Sequence, residues 1–331
     1  MDSHVRPAGF RQNLKTEQLG PVSRQPPDFR AAYALAREVA RTTHPTGTYG
    51  HRLVWCFRES FASCPLHAHA DAFAVVGRHT QCGVPLPDDP FVALRHLLVR
   101  SIALPSGGVA LRVLDLHTNL GFLLADGSRH VSIFAEGPVA LAVGEYVLVA
   151  LPQTGEDLPG DLPSPEMKSP EGLRAQLEEL GRAMSPYRAN ARPAGTSRIT
   201  LMPRPVMVGE PMQPSLGRLA SGGAFMLTLA RGERSATVPL AEEDLVRGVM
   251  IGRSEKCHSE MLRRITDVST SRAHVLILRE QEHVYAYDLA STQGTFENGA
   301  PARRAILKDT GSTLFLGRGA DAVRLVWNRR G

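Results

Sequence analysis

Long apolar stretches are absent from this sequence of 331 residues. No run approaches the roughly 18 to 20 apolar residues that a helix needs to cross a bilayer, so we expect no membrane insertion. Residues 1–29 are polar and contain proline, and they lack the apolar segment of a secretory signal. These absences predict a cytoplasmic protein.

Cysteine and aromatic residues are scarce. Cys56, Cys64, Cys82 and Cys257 are too few and too unevenly spaced for a disulfide scaffold, which suits a reducing compartment. Aromatic residues make up only 6% of the chain, and long blocks of like charge are absent. A nucleic-acid groove with stacked rings is therefore not expected.

Lysine is also rare, so arginine supplies most of the net charge of +5. The planar guanidinium of arginine suits bidentate recognition of phosphate. An arginine-rich, alanine-rich and proline-rich composition also follows from a GC-rich genome, so composition alone assigns no ligand.

Three polar motifs stand at the ends of strand-like runs in the last third of the chain. They occupy residues 252–253, 271–274 and 288–299, beside runs at 275–278 and 283–287 that are rich in β-branched or aromatic residues. Loops at strand ends present side chains while the sheet holds them in place. The motifs supply the guanidinium and hydroxyl donors that a phosphomonoester needs, because it carries a charge of about −1.5 to −2 and three acceptor oxygens.

In order and spacing, these motifs resemble the forkhead-associated (FHA) domain, an antiparallel β-sandwich that binds phosphothreonine peptides. The resemblance implies that Arg253 and Ser271 hold the phosphate and that Arg272 and Thr292 line the same pocket. Gln293 departs from the family, which usually has an asparagine there that hydrogen-bonds the peptide backbone. Since glutamine keeps the amide on a longer side chain, peptide preference is expected to differ more than the fold.

Four further residues receive structural roles from the same resemblance. Gly252 ends a strand, and His274 is expected to brace the loops from within. Asn298 and Gly299 form a tight-turn signal between two strands.

A catalytic interpretation of Ser271, His274 and Asp288 as a hydrolase triad is also conceivable. However, no strand-turn-helix elbow of the G-x-S-x-G kind surrounds Ser271. We therefore expect a protein that is not an enzyme.

The first half of the chain repeats the same spacing. Residues 115–121 resemble residues 288–294, and Arg78 corresponds to Arg253. Ala93 and Leu94 stand where Ser271 and Arg272 stand in the second copy, so two phosphate donors are missing. The first half is predicted to be a degenerate FHA-like sandwich that does not bind phosphate and serves packing or partner contact.

Histidines concentrate in this first half, where Cys64, His67 and His69 could suggest a metal site. The repeat places Cys64 on a position occupied by Val238 in the second copy, and no second ligand pair has zinc-like spacing. We predict neither a metal nor a cofactor.

The fold is predicted to be all-β, with two antiparallel FHA-type β-sandwiches joined semi-flexibly by a Pro-rich linker with short helices. The predicted parts are a disordered tail (1–27), a helix (28–47), a degenerate FHA-like sandwich (48–152), the linker with a short helix near residues 171–184 (153–217) and an FHA sandwich (218–331). Thr154 and Thr196 in the linker could serve as tethered phosphothreonine ligands, or they could be ordinary linker residues.

Together these patterns predict a phosphothreonine-binding signalling adaptor that acts downstream of a Ser/Thr protein kinase. The expected partners are a phosphothreonine-containing protein or peptide and that kinase. The alternative is a phosphate-independent structural scaffold in a protein assembly, such as a secretion or envelope-associated complex.

Overall fold

A computed structural model describes residues 27–42, 49–58, 60–69, 72–104, 107–118, 120–153, 206–207, 223–257, 259–280 and 282–330, with only the backbone of residues 206–207. The predicted tail, the predicted linker helix and both linker threonines lie outside the described residues.

Helix α1 (Phe29–Thr42) precedes the first sandwich, in which residues 50–153 form eleven strands. In chain order these are β1 (Gly50–Phe57), β2 (Ser60–His67), β3 (Ala74–Gly77), β4 (Val84–Pro85), β5 (Leu97–Ala103), β6 (Val109–Asp115), β7 (Phe122–Leu124), β8 (Arg129–His130), β9 (Ser132–Glu136), β10 (Val139–Val143) and β11 (Tyr146–Gln153). They form one sheet in the order β2-β1-β11-β10-β7-β8 and a second in the order β9-β6-β5-β3-β4, to which β12 (Val206–Met207) adds beside β9.

The second sandwich follows with two short helices and ten strands. In chain order these are β13 (Phe225–Arg231), β14 (Arg234–Leu240), α2 (Glu242–Arg247), β15 (Val249–Ile251), α3 (Glu260–Arg263), β16 (Val275–Glu280), β17 (His283–Asp288), β18 (Thr295–Glu297), β19 (Ala300–Pro301), β20 (Arg304–Leu307), β21 (Ser312–Leu316) and β22 (Val323–Arg329). Its sheets have the orders β14-β13-β22-β21-β18-β19 and β15-β16-β17-β20.

The two sandwiches share one topology, which confirms the all-β prediction and the internal repeat. Strands β2-β1-β11-β10-β7-β8 match β14-β13-β22-β21-β18-β19, and β3-β5-β6-β9 match β15-β16-β17-β20. Loop hydrogen bonds repeat as well. The backbone N–H of Arg78 donates to Ala93 O over 3.0 Å, and that of Arg253 donates to Ser271 O over 3.2 Å.

Each sandwich encloses an apolar core between its two sheets. The first core includes Phe122, Leu97 and Ile133, all fully buried. The second contains Trp327, whose indole stacks on Phe225 with ring centroids 5.0 Å apart. Helix α1 covers the outer face of the first sandwich at β1, β10 and β11 through its own apolar residues. Within the described residues, no helix is long and apolar enough to span a membrane.

A third apolar cluster joins the two sandwiches. Leu98 and Leu114 from the outer face of the first pack with Leu276 and Tyr287 from the equivalent face of the second. The ring of Phe73 meets Tyr287 edge-on with centroids 5.1 Å apart. The sandwiches are therefore packed face to face, which differs from the semi-flexible joint expected from the linker composition.

The interface also buries charge. Arg100 forms an ion pair with Glu280 and donates a 2.8 Å hydrogen bond to the Tyr287 hydroxyl, which donates to Glu280 over 2.7 Å. Arg304 also approaches Glu280, with a nitrogen 3.8 Å from its carboxylate. Since a buried ion pair needs further hydrogen bonds to offset desolvation, the tyrosine is part of the pair's support.

His51 gives the fold a pH dependence. It is fully buried in β1, where its Nδ1 shares a 2.8 Å hydrogen bond with Ser101 Oγ, and burial lowers its pKa to about 3. Since the unfolded value is about 6.5, the contribution of neutral His51 is complete above that pH and is lost as the pH falls toward 3, by about 1.4 kcal/mol per unit. Urea unfolding at several pH values should show a shallower pH slope for His51→Gln than for the unsubstituted protein; equal slopes would contradict this assignment.

Candidate functional site

Three loops meet at one end of the second sandwich. Gly252 lies so close to the loop before β16 that an added Cβ would be 2.3 Å from Arg272 O, so only glycine permits this approach. Beyond it, the backbone N–H groups of Arg253 and Ser254 donate to the carbonyls of Ser271 and Arg272 over 3.2 and 3.0 Å. The backbone thereby sets Arg253 beside the segment that carries Ser271 and Arg272.

His274 joins these loops to the third. Its Nδ1 accepts a 3.2 Å hydrogen bond from the backbone N–H of Ser271, so Nε2 carries the proton and donates to Gly294 O at 3.1 Å. Burial lowers the pKa of His274, and the nearby Asp288 carboxylate opposes that shift only in part. A neutral imidazole therefore holds the two loops together from beneath.

These bonds leave no hydrolase triad. The Nδ1 atom of His274 is occupied by a backbone N–H, and its Nε2 lies 4.0 Å from Asp288 Oδ2. Ser271 Oγ accepts a 3.0 Å hydrogen bond from the backbone N–H of Thr292. The serine hydroxyl is thus oriented by a backbone donor, and its own proton remains available for a further hydrogen bond.

Asp288 fixes the third loop at its start. Its carboxylate accepts hydrogen bonds from the backbone N–H and hydroxyl of Ser291 at 2.8 and 2.6 Å, and from the Thr295 hydroxyl at 2.7 Å. Between Asp288 and Ser291, the backbone of Ala290 adopts a left-handed conformation with φ of 54°. This local network presents Thr292 and Gln293 at the tip of the loop.

A cleft with a cavity volume of about 330 Å³ lies over these loops. It is lined by His79, Leu94, Arg95, Arg253, Val268, Ser269, Thr270, Ser271, Arg272, Thr292 and Gln293. The five residues predicted to contact a phosphopeptide thus lie together. Ser271 is 8% exposed at the bottom, whereas the other four are exposed.

Two arginines of the cleft are available to a ligand. Arg253 donates from Nε to Thr270 O over 3.0 Å, which orients its guanidinium and leaves both terminal nitrogens without a bond to the described residues. Arg272 forms neither a hydrogen bond nor an ion pair from its side chain within the described ranges. Because no Asp or Glu lines the cleft, its electrostatic character is cationic.

The other predicted structural residues lie outside the cleft. Asn298 and Gly299 have φ of 50° and 81° and connect β18 to β19, as a tight turn requires. They form a turn of the sandwich and do not line the cleft.

The first sandwich repeats the scaffold without its donors. Arg78 donates from Nε to Val92 O over 3.0 Å, as Arg253 does to Thr270 O. His96 Nδ1 accepts a 3.1 Å hydrogen bond from the backbone N–H of Ala93. Leu120 occupies the position of Gln293 and is 44% exposed. The frame of the site is retained here while the hydroxyl and the second guanidinium are absent.

Three lining residues come from the first sandwich and were not predicted as site residues: His79, Leu94 and Arg95. A signal was present in the consecutive apolar residues 97–99 of β5 and 275–278 of β16, all of which are buried. A strand in which apolar and polar residues alternate has one solvated face, whereas a strand with a continuous apolar run has both faces covered. The runs indicate that something packs on these sheets but do not identify the second sandwich as the neighbour.

The two histidines considered above as metal ligands lie side by side in the first sandwich. His67 and His69 stack on each other with ring centroids 5.7 Å apart. The described part of the chain contains no group of three His, Cys, Asp or Glu side chains that could hold a metal ion.

Residues 249–314 match the family model of the FHA domain. Solved structures similar to the chain include Mycobacterium tuberculosis Rv1747 FHA-1, at 19% identity and a TM-score of 0.26, covering 33% of this chain and 100% of that one. The N-terminal FHA domain of S. cerevisiae Rad53p in complex with a phosphothreonine peptide is 17% identical with a TM-score of 0.26, covering 32% and 94%. No curated protein matches the sequence.

Proposed function

We propose that the FHA domain identified at residues 249–314 makes this protein a phosphothreonine-peptide-binding adaptor that acts downstream of a Ser/Thr protein kinase. The FHA domain is a binding module rather than a catalytic one. The observation that carries the proposal is the convergence of Arg253, Ser271 and Arg272 in one cleft that no carboxylate lines.

The phosphate would bind by electrostatic docking between preformed loops. Arg253 contributes charge and two terminal nitrogens, since its Nε is already held by Thr270 O. Ser271 donates its hydroxyl proton to a phosphate oxygen, which has no hydrogen to offer, while one of its lone pairs accepts the Thr292 N–H. Arg272 adds a second guanidinium at the exposed rim. Charge-assisted bonds of this kind are roughly twice as strong as neutral ones.

Thr292 and Gln293 would contact the peptide around the phosphothreonine. Both are exposed on the loop that Asp288 and His274 hold, so their side chains reach a ligand without rearrangement of the backbone. The amide of Gln293 offers both a donor and an acceptor to a peptide backbone.

The proposal is tested by titrating the full chain with a phosphothreonine peptide library and following fluorescence anisotropy. We expect phosphothreonine peptides to bind at least about a hundredfold more tightly than their unphosphorylated counterparts, because two or more charge-assisted bonds are lost together. Phosphoserine counterparts measure the contribution of the threonine methyl group.

Equal binding of phosphorylated and unphosphorylated peptides by the folded protein would refute the proposal. Pull-downs with the two-sandwich chain would then test the scaffold interpretation, in which the sandwiches bind partners independently of phosphate.

A further inference from the structure

Arg95 of the first sandwich holds a loop of the second. Its guanidinium donates from Nε to Leu289 O and from Nη2 to Ala290 O, just before the loop tip that carries Thr292 and Gln293. The second sandwich has Ala273 at the equivalent position, so this contact has no counterpart within it. Lys256 of the second sandwich in turn donates from its ammonium group to Thr118 O of the first over 3.0 Å. Each sandwich therefore supports a loop of the other.

The charge of Arg95 is not neutralised by these bonds. Arg95 is 7% exposed, its two acceptors are carbonyls, and within the described residues its Nη1 has no acceptor. The Asp288 carboxylate is near enough to favour the charged form of the guanidinium and so opposes the lowering of its pKa by burial, but it forms no ion pair with Arg95. A buried cation that lacks an ion-pair partner carries a desolvation cost, and a carboxylate of a ligand would offset part of it. Arg95 lines the same cleft as Arg253 and Arg272.

The cleft thus holds three arginines, whereas a phosphomonoester contributes about −1.5 to −2 charge near neutral pH. Asp288 lies outside the lining of the cleft and its carboxylate is bonded to Ser291 and Thr295, so phosphate alone leaves part of the cationic charge in the cleft uncompensated. His79, which also lines the first-sandwich wall, adds little charge of its own, because desolvation and the neighbouring Arg95 lower its pKa. One additional carboxylate in the ligand would match the remaining charge.

We propose that both sandwiches form the binding cleft and that the ligand is a phosphothreonine segment with an aspartate or glutamate close to the phosphothreonine, which faces Arg95. The degenerate sandwich is then a specificity element of the site as well as a packing partner. This inference rests on the proposed phosphothreonine binding and adds the chemical class of the flanking residue.

The test uses the full chain and phosphothreonine peptides in a neutral background. Each of the three positions on either side of the phosphothreonine is occupied in turn by glutamate or glutamine, with unphosphorylated copies of every peptide. At one or more positions the glutamate peptide should bind about three- to tenfold more tightly than the glutamine peptide, as for a partly solvated charge pair.

The Arg95→Met variant separates charge recognition from positioning. If Arg95 faces the carboxylate, the preference for glutamate over glutamine disappears. If Arg95 only holds the loop, both peptides lose the same factor in affinity and the preference remains, which would overturn the proposal.

A second pair of variants keeps the test valid should Arg95→Met fail to fold. Leu94 is half-buried in the cleft wall, and Leu94→Glu places a carboxylate beside the cations, so it should weaken the glutamate peptide more than the glutamine peptide. Leu120→Glu is the matched control, because Leu120 is exposed in the same sandwich and does not line the cleft. It should leave the preference unchanged.

The outcomes distinguish the two proposals. Absence of phosphate-dependent binding would refute the proposed function itself. Phosphate-dependent binding with equal affinity for glutamate and glutamine at every position would refute only the present inference. A preference that persists in both Arg95→Met and Leu94→Glu would show that the first sandwich does not create it.

Discussion

Substituting Arg253→Ala is expected to lower the affinity for a phosphothreonine peptide by at least about tenfold, because a charge-assisted hydrogen bond contributes roughly 1.5 to 3 kcal/mol. The side chain is exposed and its single bond within the described residues runs from Nε to Thr270 O. Its removal should therefore change the fold little. The measurement is a peptide titration of the full chain, with circular dichroism to establish that the variant is folded.

The repeat provides a matched control for this experiment. Arg78 occupies the equivalent position in the first sandwich, donates from Nε to Val92 O over the same 3.0 Å, and does not line the cleft. Arg78→Ala thus removes an equivalent backbone contact without removing a ligand donor, and peptide affinity should be retained. Equal losses in the two variants would mean that the effect of Arg253→Ala comes from loop stability rather than from phosphate contact.

Substituting Glu280→Ala is expected to lower the free energy of unfolding by about 3 to 5 kcal/mol, as for a buried ion pair that loses one partner. Glu280 is 9% exposed at the interface between the sandwiches, where Arg100, Arg304 and the Tyr287 hydroxyl converge on its carboxylate. The variant leaves these arginines without that negative charge. Urea unfolding of the full chain measures the change.

A surface ion pair beside it serves as the control. Glu242 pairs with Arg279, the residue before Glu280, at 2.5 Å, with side chains 47% and 28% exposed. Since exposed pairs contribute about 0 to 1 kcal/mol, Glu242→Ala should have a small effect. A similarly small effect of Glu280→Ala would contradict the buried interface and, with it, the placement of Arg95 beside the cleft.

The loops of the candidate site were predictable because their geometry depends on local chemistry. Glycine at position 252 is required where the backbone approaches Arg272 O, and Asp288 orders its loop through Ser291 and Thr295 within a few residues. Such short-range constraints repeat in both halves of the chain, as the matching bonds of Arg78 and Arg253 show. Their spacing could therefore be recognised without coordinates.

The wall of the cleft could not be predicted in this way. Arg95 bonds to Leu289, a residue 194 positions away, and no local pattern encodes a contact of that separation. In the sequence, Arg95 is an ordinary polar residue next to a strand, and Leu94 replaces the arginine that the second copy has at position 272. Because the two sandwiches pack against each other, both residues line the cleft.

Strand periodicity and loop chemistry are local properties of the chain, so the amino-acid pattern was enough to predict the all-β class, the duplicated sandwich and the position of Arg253, Ser271 and Arg272 on strand-end loops. The face-to-face packing of the two sandwiches, and with it the position of Arg95 in the lining of the cleft, could be seen in three dimensions alone. Burial of apolar sheet faces is non-directional, so the apolar runs require a covering surface without specifying which one.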